Sequence, residues 1–192
     1  MSAATRSRSQ VVVLFLDVLA VLAFSAGAGS AGGRNMAVTG SSVGPLQIGL
    51  GSPAELRAWN GSPVKIWQPG KGNPPVLFNG ELWEYRCPGK SAVDGFPCRT
   101  YFGFNGGWLT SFTSNDPNFH TVKGTKVGTP LSQVVKSEKG KWSGWGWQCP
   151  GVTLRAPKGT LFVAHIWKKV SKALVSSLYL SSNAESFSSC GS

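Results

Sequence analysis

Histidine, acidic side chains and long apolar runs are all scarce in this chain of 192 residues. A nucleophile triad needs an imidazole within reach of a serine or cysteine and oriented by a third group. Only His120 and His165 could serve. His165 lies inside the apolar stretch LFVAHIW and His120 in a linking segment, and both read as structural. With eight acidic residues, few carboxylate pairs are open to glycoside hydrolysis. Glu55 reads as a helix cap, Asp94-Gly95 and Asp116-Pro117 as turns, and Glu81 and Glu84 as a solvated strand face, with Glu84 outward beside Arg86. There is no Cys-x-x-Cys, no His-x-x-x-His and no lysine-bearing glycine loop that would cradle phosphate. The sequence therefore predicts no metal, no cofactor and no catalytic residue.

One apolar run exists, over residues 11–24, preceded by Arg6 and Arg8 and followed by small residues. That order is a secretory signal peptide, with Ala26-Gly27-Ala28 as the cleavage site. Asp17 inside the run keeps an N-terminal membrane anchor open as the alternative for residues 1–31, although the run is short for a full span. No cysteine lies nearby to carry a lipid. The expected location is secreted or extracytoplasmic, in the cell envelope. Residues 32–45 are rich in glycine and serine and read as a flexible leader.

Export makes a disulfide framework the natural reading of Cys87, Cys98, Cys149 and Cys190, which allow three pairings. The turn formers of PGKSAVDGFP favour Cys87 with Cys98, leaving Cys149 for Cys190. The net charge of +11 is uneven. Residues 35–120 balance to +1, whereas residues 121–192 carry ten basic and two acidic side chains. Such a surface serves solubility or draws an anionic partner. No helix-turn-helix, zinc finger or RNA-recognition signature points to nucleic acid.

One short pattern occurs twice. GSPAELRAWNG at residues 51–61 and GTPLSQVVKSEKG at residues 128–140 each place glycine, a hydroxyl residue, proline, an amphipathic run and a closing glycine in order. Ser52 and Thr129 are expected to cap helices that start at Pro53 and Pro130, and Gly61 and Gly140 to end them. Glu55 completes a capping box in the first copy. Leu56 and Trp59, and later Leu131, Val134 and Val135, mark the buried faces. Hairpins are expected at Asn79-Gly80 and at Asn105-Gly106-Gly107. WSGWGWQCPG aligns with WEYRCPG, setting Trp145 at Trp83, Trp147 at Tyr85 and Cys149 at Cys87, and ALVSSLYLSSN repeats the character of WLTSFTSN. The predicted fold is α+β: two tandem units, residues 46–120 and 121–192, each of one short helix plus three or four antiparallel strands. Their strands form a sheet covered by helices on one face.

This helix-then-strands pattern resembles the repeat of BamE-type outer-membrane assembly lipoproteins and of the tandem-repeat β-lactamase inhibitory proteins. The chain is also similar to uncharacterised exported proteins of actinobacteria. The resemblance implies a secreted, non-enzymatic module that binds a protein through its sheet. The lipidated cysteine of the BamE type is absent and the inhibitors' contact residues find no match, so no binding residue is carried over.

Aromatic and basic residues supply the remaining binding signal. Trp142 and Trp167 are the expected surface tryptophans, with Lys139, Lys141, Lys168, Lys169 and Lys172 around them, while the parity of Trp145 and Trp147 with Cys149 assigns those two to the core. The leading expectation is a binding or inhibitor-like module for an anionic protein or cell-envelope component. A glycan-binding protein or weak glycan hydrolase of the cell wall is the alternative, and a structural envelope protein the third.

Overall fold

In the computed structural model, residues 34–71, 80–91, 93, 95–145, 149–156, 159–165 and 173–182 are described, with backbone alone for residues 90, 141–145, 149–151, 153–156, 162, 164 and 165. The expected signal segment lies outside them. The fold is α+β, as composition and pattern predicted.

Helix α1 (Pro53–Asn60) forms as its sequence dictates. Ser52 accepts from the Glu55 N–H, Glu55 reaches back to the Ser52 N–H, Pro53 opens the first turn and Gly61 closes the helix at φ 80°. Four strands follow: β4 (Lys65–Trp67), β5 (Glu81–Lys90), β6 (Pro97–Asn105) and β7 (Trp108–Ser114). The Asn105-Gly106-Gly107 hairpin is present, with both glycines at positive φ, 58° and 83°, as a two-residue turn between paired Asn105 and Trp108 requires. The strand expected before Asn79-Gly80 lies outside the described residues.

Helix α2 (Leu131–Glu138) is again followed by four strands, β9 (Lys141–Trp145), β10 (Cys149–Ala156), β11 (Gly159–His165) and β12 (Val175–Ser181). Its ends differ from expectation. Pro130 is the N-cap with no side-chain cap, because the Thr129 hydroxyl instead accepts the Lys126 N–H at 3.0 Å. The left-handed C-terminal residue is Lys139 at φ 52°, not Gly140. The buried side is Leu131, Val134 and Glu138, whereas Val135 is 44% exposed. Thr121 donates to Glu138, which accounts for that buried carboxylate. WSGWGWQCPG is not one strand: Trp145 and Cys149 are paired across a reversal, so the alignment with WEYRCPG does not hold residue by residue.

The eight strands run β4-β5-β6-β7-β12-β11-β10-β9, antiparallel at every step. The last strand of each set pairs with the other, Phe112 opposite Leu180. One cross-strand row, Trp83, Phe102, Phe112, Leu180 and Leu161, is almost wholly buried. Leu56 from α1 and Leu131 and Val134 from α2 join it in a single core, so both helices cover the same face. Trp59 meets Phe102 edge-on at 6.2 Å, and the Tyr85 hydroxyl donates to the Gly61 carbonyl at 3.0 Å.

The glycine- and serine-rich leader contributes strands to the fold. Strands β1 (Ala37–Val38), β2 (Ser42–Val43) and β3 (Leu46–Gln47) form a small sheet with β8 (His120–Thr121). Val38 and Val43 are fully buried, and two such side chains offset the ordering of a short ribbon that composition alone marks as loose. Gly44, at φ 54°, lies so close to Trp59 that a Cβ would fall 2.4 Å from the ring.

Candidate functional site

The face away from the helices is built on the other parity. Its central described row runs Lys65, Glu84, Tyr101, Thr113 and Tyr179 across β4, β5, β6, β7 and β12. The sequence reading left Glu84 in solvent. Instead it is 2% exposed. Its Oε1 lies 3.5 Å from Arg86 Nε and 3.6 Å from Arg99 Nη1, within ion-pair range of both but hydrogen-bonded to neither. Its Oε2 accepts from the Trp67 indole at 3.4 Å. Burial of the bare ion would be costly, and two guanidinium groups and an indole are what make it tolerable.

Around this carboxylate the site is cationic and aromatic. Lys65 Nζ stands 3.3 Å from the centroid of the Trp67 ring. Arg99 donates to the Tyr101 hydroxyl at 3.2 Å, and that bond first, with Glu84 adding to it, raises the Arg99 pKa above its ordinary value. The Arg99 Nε is buried with no hydrogen-bond partner among the described residues. The Asn115 side chain accepts the Arg99 backbone N–H at 2.7 Å and fixes the strand end.

Behind the arginines, Cys87 and Cys98 are joined as expected, their Cα atoms 5.2 Å apart across β5 and β6. Asp116 lies near both sulfurs, but with the sulfurs bonded to each other the three offer no thiolate to a metal. Asp116 is a turn residue: its carboxylate accepts the Asn118 N–H at 2.9 Å. The His120 ring nitrogen Nδ1 lies 3.1 Å from the Asn118 carbonyl.

Of the residues singled out from sequence for binding, Lys139 is an exposed residue at the end of α2, and Lys141 and Trp142 lie on the edge strand β9, described by backbone alone. Trp142 is the register partner of Val152, which is fully buried. Trp167, Lys168, Lys169, Lys172 and Cys190 lie outside the described residues, and the Cys149 side chain is not described. The structure thus brings together residues that sequence reasoning did not select: Lys65, Trp67, Glu84, Arg86, Arg99 and Tyr101. A signal for part of this was available. Pairing Cys87 with Cys98 on neighbouring antiparallel strands sets Arg86 opposite Arg99 and Glu84 opposite Tyr101.

No family model matches the sequence, and no curated protein matches it. Among solved structures the chain is similar to an extracellular protein containing an SCP domain from Bacillus anthracis, at 12% identity and a TM-score of 0.48, over 75% of this chain and 46% of that one. It is also similar to YjgB, a DUF4309 family protein from Bacillus subtilis, at 11% identity and a TM-score of 0.44, over 73% of this chain and 84% of that one. A third likeness is to the uncharacterized protein YfeY from Escherichia coli, at 13% identity and a TM-score of 0.41, over 76% of this chain and 99% of that one. The chain thus spans less than half of the first of these proteins, and at TM-scores below 0.5 none of the three lends its properties to this chain.

Proposed function

We propose that this is an exported, disulfide-stabilised, non-enzymatic binding or inhibitor-like module that engages an anionic protein through the sheet face its helices leave uncovered. The observation that carries the reading is the division of the sheet. One parity is filled with Phe102, Phe112, Leu180 and Leu161 beneath two helices, and the other carries Lys65, Thr113 and a pair of arginines around the buried Glu84 and Tyr101. The repeated order of elements supports it too. Each helix precedes four antiparallel strands, and the two sets meet through their last strands. The Cys87–Cys98 bond agrees with an oxidising compartment outside the cytoplasm. Ten basic against two acidic residues in the second half add long-range attraction for an anion.

The test is saturable binding by the purified protein to envelope proteins of the source cell, with Thr113→Glu on the uncovered face and Ser132→Glu on the exposed side of α2 as a matched pair. Loss with Thr113→Glu alone is expected. Equal loss with both, or turnover of a hydrolase substrate that a single Glu or His substitution abolishes, overturns the reading.

A further inference from the structure

Arg86 and Arg99 are direct register partners on adjacent strands, and like charges so placed repel. Among the described residues one carboxylate, Glu84, is within ion-pair range of both, and Lys65 is its register partner on β4. Two guanidinium groups therefore share one buried anion on this part of the face, while the Lys65 ammonium stands over the Trp67 ring. The hydrogen bonding is incomplete as well. Glu84 Oε1 and Arg99 Nε are buried and have no hydrogen-bond partner among the described residues. The Arg99 fork is committed to Tyr101 through one N–H, and Arg86, 64% exposed, holds its Nε toward Glu84. Glu84 orients the two guanidinium groups without saturating them.

We propose that Arg86 and Arg99 form the acceptor for a carboxylate of an acidic protein segment. This rests on the reading of the uncovered sheet face as the binding face and names what it takes. Adjacent strands stand about 4.8 Å apart, a spacing that lets two guanidinium groups approach one carboxylate from either side. Planar forks favour a carboxylate over a spherical anion. Phe96, 63% exposed and immediately before β6, sets an aromatic surface at the same end of the strand pair. Arginine beside exposed aromatic area is the composition of protein-binding hot spots, and it favours a peptide over a sugar polymer. The site lies in the half of the chain whose net charge is close to balance, so local geometry and not the lysine excess of the second half defines it.

Titration calorimetry with hexaglutamate at low salt tests this on the intact protein, with oligogalacturonate and inorganic phosphate as comparison anions. Arg86→Gln and Arg99→Gln should each weaken hexaglutamate binding about tenfold, the factor expected for one charge-assisted contact, while Lys136→Gln, at an exposed position of α2, leaves it within twofold. Arg86→Lys and Arg99→Lys keep the ion pairs with Glu84 but lose the fork, and should also weaken it severalfold; they decide the matter if the glutamine variants fail to fold. The proposal is overturned by no hexaglutamate binding, by equal loss with Lys136→Gln, or by oligogalacturonate binding as tightly with the same arginine dependence. An envelope partner lost with Thr113→Glu but indifferent to both arginines would defeat the arginine pair and leave the binding face standing.

Discussion

Arg86 and Arg99 face each other one residue outside the Cys87–Cys98 disulfide, so the covalent bond and the charged pair share one register. The cross-link fixes which residues meet across β5 and β6, and Glu84 is thereby set within reach of both arginines. Removing the bond should loosen the site as well as the fold. Cys87→Ser with Cys98→Ser is expected to cost about 2–4 kcal/mol by freeing the closed loop in the unfolded chain. Urea unfolding of the variant against wild type measures it, and a loss under about 0.5 kcal/mol would show that the bond adds little to what β5 and β6 pairing already supplies.

Phe102 is fully buried and rings from three elements surround it: Trp59, Tyr85 and Phe112 at 6.2, 5.6 and 5.3 Å. Phe102→Ala is expected to destabilise the protein by about 3–5 kcal/mol. Because both helices pack on one core, loss of helical and sheet signal should coincide in a single thermal transition. Two separated transitions would contradict that shared core.

The capping box of α1 predicts a pH signature. Ser52, chiefly through its backbone N–H, lowers the Glu55 pKa, so the contribution is complete above the ordinary carboxylate range and is lost as pH falls through the lowered value. Ser52→Ala should cost about 1 kcal/mol at neutral pH. Glu55→Gln should remove this acid-side slope from the stability profile. Thr129→Ala, by contrast, should leave α2 helicity unchanged, because that hydroxyl serves the Lys126 N–H.

Lys139 holds a left-handed conformation at the end of α2, φ 52°. Glycine adopts it without steric cost, so Lys139→Gly is expected to raise stability by about 0.5–1 kcal/mol. Chemical denaturation measures the change. A decrease would mean that the lysine side chain stabilises the helix end by more than the conformation costs.

Tyr85 is buried against α1, and that burial raises its pKa to about 12, with Arg57 acting the other way. The folded phenol keeps its proton where an unfolded one, near 10, has lost it. Its contribution to stability is thus whole below the unfolded value and falls away as pH rises from there to about 12. Ultraviolet titration should show one tyrosine ionising late, and Tyr85→Phe should remove that step.

Much of the first half was legible in its residues. Ser52, Pro53, Glu55 and Gly61 each have a local reason to start or stop α1, and the two glycines after Asn105 have a local reason to reverse the chain. Local chemistry misled where tertiary contacts outweighed it. Thr129 has an acceptor oxygen as good as that of Ser52, but the turn at Lys126 claims it. Glu84 obeys the period of two and lies on the expected face, yet Trp67 and two arginines cover it. Strand parity can tell which face a side chain takes but not what will lie over it. For the leader, composition registered the flexible glycines and not the depth to which Val38 and Val43 would be buried.

The seam between β7 and β12 carries a further consequence. An antiparallel junction is the kind that a twofold axis produces, and here it joins two stretches of one polypeptide. A fragment stopped near residue 120 would keep α1 and four strands but leave β7 with an unsatisfied ladder edge and a bare apolar floor. Two such fragments could mate along that edge, so a truncated product is expected to elute as a dimer rather than as a small monomer.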